Sequence, residues 1–375
     1  MAQIDSFIGA HVLAEILSGA NPPTLHLLGT SEPVTHRTLV NLLTKYKLFT
    51  RTLTPDVLLE KTICINGALN LTHFGLTDKA FRKLGQQIQA IYSIGAQISL
   101  LKTYSDLKRL NVESTLDIIE LAGHGKTLTR LNHLSTWSVQ HLQTWHRASL
   151  TRQTIVTDET PAGHFTPEPT NEHGYFKSRW VAEQLLTQAA ERGFDVRIFR
   201  ASATTGSTTT GVPEPSEDFV RTMVMEGFIL SGYIPKLNPE SPEFVVDFIP
   251  VNYLASSMHR LSSDDLAPRN VPAIYHLTNP SPLSTKDLCD LMAEIRPDGK
   301  KGQLIGLDEW LEKVMASARD EQDMLGWSVL DAYMRKGHVM FALDQGLTED
   351  ELERVGKEVE CPPIDKVYLN RMLAG

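Results

Sequence analysis

An α/β fold, a doubly wound parallel sheet with a smaller helix-rich C-terminal lobe, is predicted by three features of the sequence. Short apolar runs alternate with amphipathic helical segments through about residue 205. Helical patterning then dominates the end of the chain. No internal repeat, low-complexity tract or Pro-rich linker separates an independent unit. At 375 residues the chain can bury one large core beside a companion lobe. The expected division is residues 1–250 for the sheet-bearing part and 251–375 for a mainly helical substrate lobe, interleaved with the first.

From Phe7, the residues Ile8, Val12, Leu13, Ile16 and Leu17 make one helical stripe that Gly19 ends. Thr24-Leu-His-Leu-Leu reads as a strand running into Gly29, and residues 35–50 as an amphipathic helix around Leu39, Leu42, Leu43 and Tyr46. Lys61-Thr-Ile-Cys-Ile and Ala90-Ile-Tyr-Ser-Ile-Gly-Ala are further strands, and Asn111-Val-Glu-Ser-Thr opens a helix through Leu116, Ile119 and Leu121. Residues 128–134 are strand-like and deliver Ser135-Thr-Trp-Ser-Val. Residues 140–172, rich in Thr, Pro, Glu and His, lack periodicity and are expected to cover an active site.

The stretch Gly174-Tyr-Phe-Lys-Ser-Arg-Trp-Val-Ala-Glu-Gln-Leu-Leu organises the rest. As a helix it places Tyr175 and Arg179 on one face, with Ala182, Leu185, Leu186 and Ala189 on another. Gly193 ends it, and Val196 and Ile198 mark the strand that follows. A fixed cation one turn from a tyrosine stabilises phenolate, so the pair suits proton chemistry; the alternative is a surface contact on a helix that merely packs. Downstream lie a small-residue loop from Arg200 to Gly211, a helix from Asp218, a segment ending Tyr233-Ile-Pro, and Val245-Val-Asp-Phe-Ile-Pro, in which Asp247 is expected to tie the lobe to the sheet. Ile274-Tyr-His-Leu is a strand, and Ser284 caps a helix. Helices are predicted over 286–296, 307–321, 328–336 and 348–358.

The pattern Gly-Tyr-x-x-Ser-x-Trp-Val-Ala-Glu-x-Leu at 174–185, followed by a strand ending in Arg200 and the Gly206 and Gly211 loop, resembles the thioester-reductase domains that terminate fungal polyketide and nonribosomal peptide assembly lines. These belong to the extended short-chain dehydrogenases/reductases, and the resemblance runs from about Phe7 to the C-terminus. It implies a Rossmann-like sheet and three catalytic positions: Thr136, whose hydroxyl would bond the substrate carbonyl (or merely cap its strand), Tyr175 and Arg179. In the family the last position is a lysine that lowers the tyrosine pKa, touches the nicotinamide ribose and relays protons. A guanidinium could supply the charge but hardly the relay.

The cofactor side departs further. Of the family's Gly-x-x-Gly-x-x-Gly turn only Gly9 is present, and the first strand is expected to be missing. Gly29 and Glu32 stand where an arginine would meet the 2'-phosphate of NADPH, and Gly67-Ala68-Leu69 replaces Gly-Asp-Leu. Gly9 and Arg179 remain as weak cofactor contacts.

Composition excludes several classes. A net charge of -9 argues against a nucleic-acid surface, and Cys64, Cys289 and Cys361 are too scattered for a disulfide framework or a zinc cluster. His133, His141 and His146 match no metal-ligand spacing, so no metal is expected. Without a membrane-length apolar run or a signal-type N-terminus, a cytoplasmic protein is expected. The first functional expectation is a reductase-like enzyme of secondary metabolism that acts without redox on an acyl thioester or its product, the substrate a small molecule either free or held on a carrier protein of a synthase. Dieckmann cyclisation is the example, with Tyr175 as base and Thr136 holding the oxyanion, and no cofactor. The alternatives are NADPH-dependent reduction of a thioester or aldehyde, and a noncatalytic docking partner of a synthase.

Overall fold

The computed structural model describes residues 2–99, 102–125, 129–139, 155–157, 159–162, 174–212, 232–236, 245–263, 270–295, 303–316, 341–343, 346–355 and 360–374. Seven parallel strands form the central sheet: β1 (Ala2–Gln3), β2 (Leu25–Gly29), β3 (Thr62–Ala68), β4 (Ala90–Ser93), β5 (Arg130–Thr136), β6 (Val196–Ala201) and β7 (Ala273–Leu277). Their order is β7-β6-β5-β4-β1-β2-β3, and the chain reverses its direction of travel between β1 and β4. Ligands of such sheets bind outside the carboxyl ends of the strands near this switch point.

The expected gap at the centre is corrected by the structure. Ala2 pairs with both Leu27 and Tyr92, and Gln3 with Leu28, so two residues bridge β2 and β4. Ile4 follows, fully buried, beside Val12, Leu13, Ile16, Leu25, Leu27 and Tyr92. Short as it is, β1 reduces the unpaired backbone that an empty central position would leave.

Helix α1 (Phe7–Leu17) begins at Ser6, whose Oγ accepts the Gly9 N–H. It is buried nearly all round, because Val251–Ser263 packs on it and completes the core on that side of the sheet. The other side holds the helices Asp78–Gly85 and Ser114–Gly123 and the long helix Gly174–Glu191, whose Leu186, Ala189 and Ala190 enter a core with Leu121, Leu131 and Ile198. The helix predicted over 35–50 is shorter, His36–Lys45, because Lys47 turns the chain with a φ of 55°.

The helix Val251–Ser263 packs in the core beside α1, and Ala273–Leu277 supplies the edge strand β7. The remaining described elements are helices Thr285–Glu294, Leu307–Ala316, Gly346–Val355 and Lys366–Ala374 with small two-stranded pairings such as Gln303–Gly306 on Tyr233–Lys236. Trp310 anchors this region, fully buried with its Nε1–H donated to the Tyr233 carbonyl at 3.1 Å. The predicted helices from Asp218 and over 328–336, and most of the loop 140–172, lie outside the described residues. Among the described residues no helix is long and apolar enough to cross a membrane.

Candidate active site

Thr136 is the last residue of β5, where a parallel sheet presents its ligand-binding edge. Its hydroxyl donates to Ser138 Oγ at 3.1 Å and accepts the Ser138 N–H at 3.3 Å. This bonding is local and leaves the hydroxyl at the strand end.

Tyr175 lies in the first turn of the helix Gly174–Glu191. That turn sits where it does because Gly174 has no Cβ: a methyl there would lie 2.4 Å from the Lys102 carbonyl oxygen and 2.5 Å from Tyr104 N. Ser178 donates to the Tyr175 carbonyl at 2.7 Å and receives Asn111 Nδ2–H at 3.0 Å. Asn111 also bonds both backbone groups of Gln97, at 2.8 and 3.1 Å, so the loop after β4 and the tyrosine helix are braced by one amide.

Arg179 is buried, 2% exposed, and points inward. Its Nη2 donates to the Leu134 carbonyl, two residues before Thr136, and to His133 Nε2 at 3.0 Å. With Nε2 accepting, the imidazole carries its proton on Nδ1, which faces Ser93 Oγ at 3.1 Å. Burial and the adjacent guanidinium hold the His133 pKa well below its ordinary value, so the ring is neutral. His133 is thus a strut for Arg179, and His141 and His146, considered with it, lie outside the described residues.

The expected lowering of the Tyr175 pKa is overturned. Desolvation is the largest influence and raises it above the ordinary 10, while the Arg179 charge only partly opposes this. The phenol therefore holds its proton more tightly than a free tyrosine does.

Beneath these residues lies a buried charged cluster that sequence reasoning missed. Glu183, eight residues past Tyr175, accepts Ser135 Oγ–H at 2.5 Å and Arg200 Nη2–H at 2.8 Å. Arg200, wholly buried on β6, also reaches His276 Nε2 on β7 at 3.3 Å. The available signal was a pair of arginines, Arg197 and Arg200, in an otherwise apolar strand, with an acid at i+4 from Arg179 on the preceding helix.

On the nucleotide side, Gly9 is buried within the first turn of α1 and Glu32 is exposed. Ala68 is buried at the end of β3, and Arg109 ties the next loop down through the carbonyls of Leu69, Asn70 and Leu71. Thr136, Tyr175 and Arg179 are therefore linked through β5 and one helix, whereas Gly9 stands apart in the first turn of α1. Among the described residues no group of three or more His, Cys, Asp or Glu side chains is disposed to hold a metal.

Residues 6–258 match the NAD-binding family described as male sterility protein. The chain belongs to that family. It is 44% identical to the hybrid PKS-NRPS synthetase pynA of Aspergillus niger over 379 residues, which is 99% of this chain and 10% of that protein. A second hybrid PKS-NRPS synthetase, pyvA of Aspergillus violaceofuscus, matches at 44% over 386 residues, again 99% of this chain and 10% of the other. The domain thus spans about a tenth of these relatives. Its fold is that of the terminal R domain from the myxalamid PKS-NRPS pathway, with a TM-score of 0.80 at 24% identity, covering 100% of this chain and 88% of that one.

Proposed function

We propose that this domain of secondary-metabolite biosynthesis releases its acyl thioester by non-redox, Dieckmann-type ring closure. The inward aim of Arg179 carries the reading: its Nη2 is taken by the Leu134 carbonyl and His133, so the side chain does not fit the ribose contact made by the family's lysine. What it retains is a fixed charge beside Tyr175.

The substrate class is a thioester bearing a carbon acid between two carbonyls, delivered on a carrier protein. Hydrogen bonds from the Thr136 hydroxyl and the protonated Tyr175 phenol to one carbonyl oxygen stabilise the enolate, with Arg179 adding a nearby positive charge. The C–H bond breaks and its proton passes to solvent; the carbanion forms a C–C bond to the thioester carbonyl; the C–S bond breaks and the departing thiolate takes a proton. No electron enters or leaves, and no nicotinamide is required.

A pantetheine-linked aminoacyl β-ketoamide thioester, incubated with the domain in the presence and absence of NADPH, tests this. Thiol release with ring formation is expected without nucleotide. Tyr175→Phe should slow it by about 10²- to 10³-fold with an unchanged melting temperature. Release that requires NADPH and yields an aldehyde or alcohol would establish the reductase reading instead. Product formation unaltered in a folded Thr136→Ala/Tyr175→Phe variant would leave only docking.

A further inference from the structure

The turn between β1 and α1 is where a fold of this class brings backbone N–H groups against a dinucleotide pyrophosphate, and the end of β2 is where it meets the ribose. With Gly9 as the last glycine of the family spacing, the other two positions fall on Gln3 and Ser6. Ser6 turns its hydroxyl onto Gly9 N–H at 3.1 Å, and its carbonyl accepts Ala10 N–H at 2.9 Å. The first is a terminal donor taken by the cap, and the second is the opening bond of the helix ladder.

Asp5 stands just outside that cap. Its Oδ2 accepts the backbone N–H of Thr30 at 2.9 Å and its Oδ1 accepts the Thr30 hydroxyl at 2.5 Å. Thr30 directly follows β2, so the donors that a ribose or its phosphate would seek are held by a carboxylate of the chain itself. The rest of the β2 terminus is closed too. The Gly29 and Thr30 carbonyls accept Leu69 and Asn70 N–H groups at 3.0 and 3.2 Å. The Glu32 carbonyl oxygen occupies the space a Gly29 Cβ would need, 1.7 Å from its ideal position. Buried Ile4 and Phe7 flank Asp5 and Ser6 in sequence and pin both ends of the turn.

We infer that the dinucleotide site is occupied from within: Asp5 is its resident anion, latched on Thr30, and it excludes nucleotide phosphate by charge and by use of the donors. A carboxylate near a helix N-terminus is stabilised as a phosphate would be, so the chain supplies for itself what a cofactor elsewhere brings. The inference concerns binding alone and stands or falls separately from the release reaction.

The test is calorimetric titration of the wild-type domain, Asp5→Asn and Asp5→Asn/Ser6→Gly with NADPH and NADH, each protein checked for an unchanged melt. Asparagine can still accept from Thr30, so the single variant keeps the latch while losing its charge. Wild type should show no saturable binding at millimolar nucleotide, Asp5→Asn should bind at least about tenfold more tightly, and the double variant more tightly again. Hydrogen exchange of the Thr30 amide in the wild type should be unchanged by nucleotide. Saturable micromolar binding by wild type, nucleotide-induced protection at Thr30, or folded variants that bind no better than wild type would each overturn the inference.

Discussion

Asp247 lies beyond the carboxyl end of β6, its Oδ1 accepting Ser202 Oγ–H at 3.1 Å and Asn279 N–H at 2.8 Å. Those bonds join the loops after β6 and β7, the tie expected from sequence. Burial pushes its carboxyl up from 3.8 to about 7, more than the two hydrogen bonds offset. Because the folded pKa exceeds the unfolded one, the folded state holds the proton between the two values. The stabilisation from the protonated group is therefore complete below pH ~4 and lost as pH rises through about 7. Asp247→Asn, which keeps an acceptor but no charge, should leave the urea midpoint unchanged at about pH 4. At pH 8 it should raise stability by a few kcal/mol at most, an upper bound set by roughly 1.4 kcal/mol for each tenfold change in proton affinity. Equal effects at both pH values would show that the ionised carboxylate is well solvated.

At the scale of the element, the helix Gly174–Glu191 is legible in the sequence: its span, the shared face of Tyr175 and Arg179, and the stripe through Ala182, Leu186 and Ala189 all follow from a 3.6-residue period. The need for glycine at its first position is not, because the clash it avoids is with residues 102–104, about seventy positions away. Gly174→Ala should force the helix end off that backbone. The expected cost is about 1 to 3 kcal/mol in chemical denaturation, with turnover reduced further than stability because Tyr175 moves with the turn. A variant with wild-type turnover would show that the backbone at 102–104 yields without disturbing Tyr175. The overrun in the prediction over 35–50 has a similarly local cause, a left-handed Lys47 that apolar periodicity does not reveal.

Across the whole molecule, Glu183 is the residue through which one helix and three strands share a buried charge cluster. It meets Ser135 on β5 and Arg200 on β6, and Arg200 meets His276 on β7. The His276 N–H in turn bonds Glu159 and Thr348, each at 2.9 Å, so segments far apart in the chain converge on the edge strand. Removing one member leaves an uncompensated charge out of water. Glu183→Ala should destabilise by about 3 to 5 kcal/mol, whereas Glu183→Leu with Arg200→Met should recover much of that loss, as judged by denaturant midpoints. If the single variant is no less stable than the double one, water reaches Arg200 and the cluster is not dry.

The sequence by itself determined the alternation of strands and helices, the placing of Thr136 at a strand end, and the pairing of Tyr175 with Arg179, since each rests on spacing within a single element. Tertiary structure alone decided the rest. It turned Arg179 inward onto β5, raised the Tyr175 pKa where the neighbouring charge suggested a fall, closed the sheet centre with Ala2 and Gln3, and set Asp5 on Thr30. Desolvation and contacts between residues distant in the chain depend on what packs around a group, and no local pattern of residues records that.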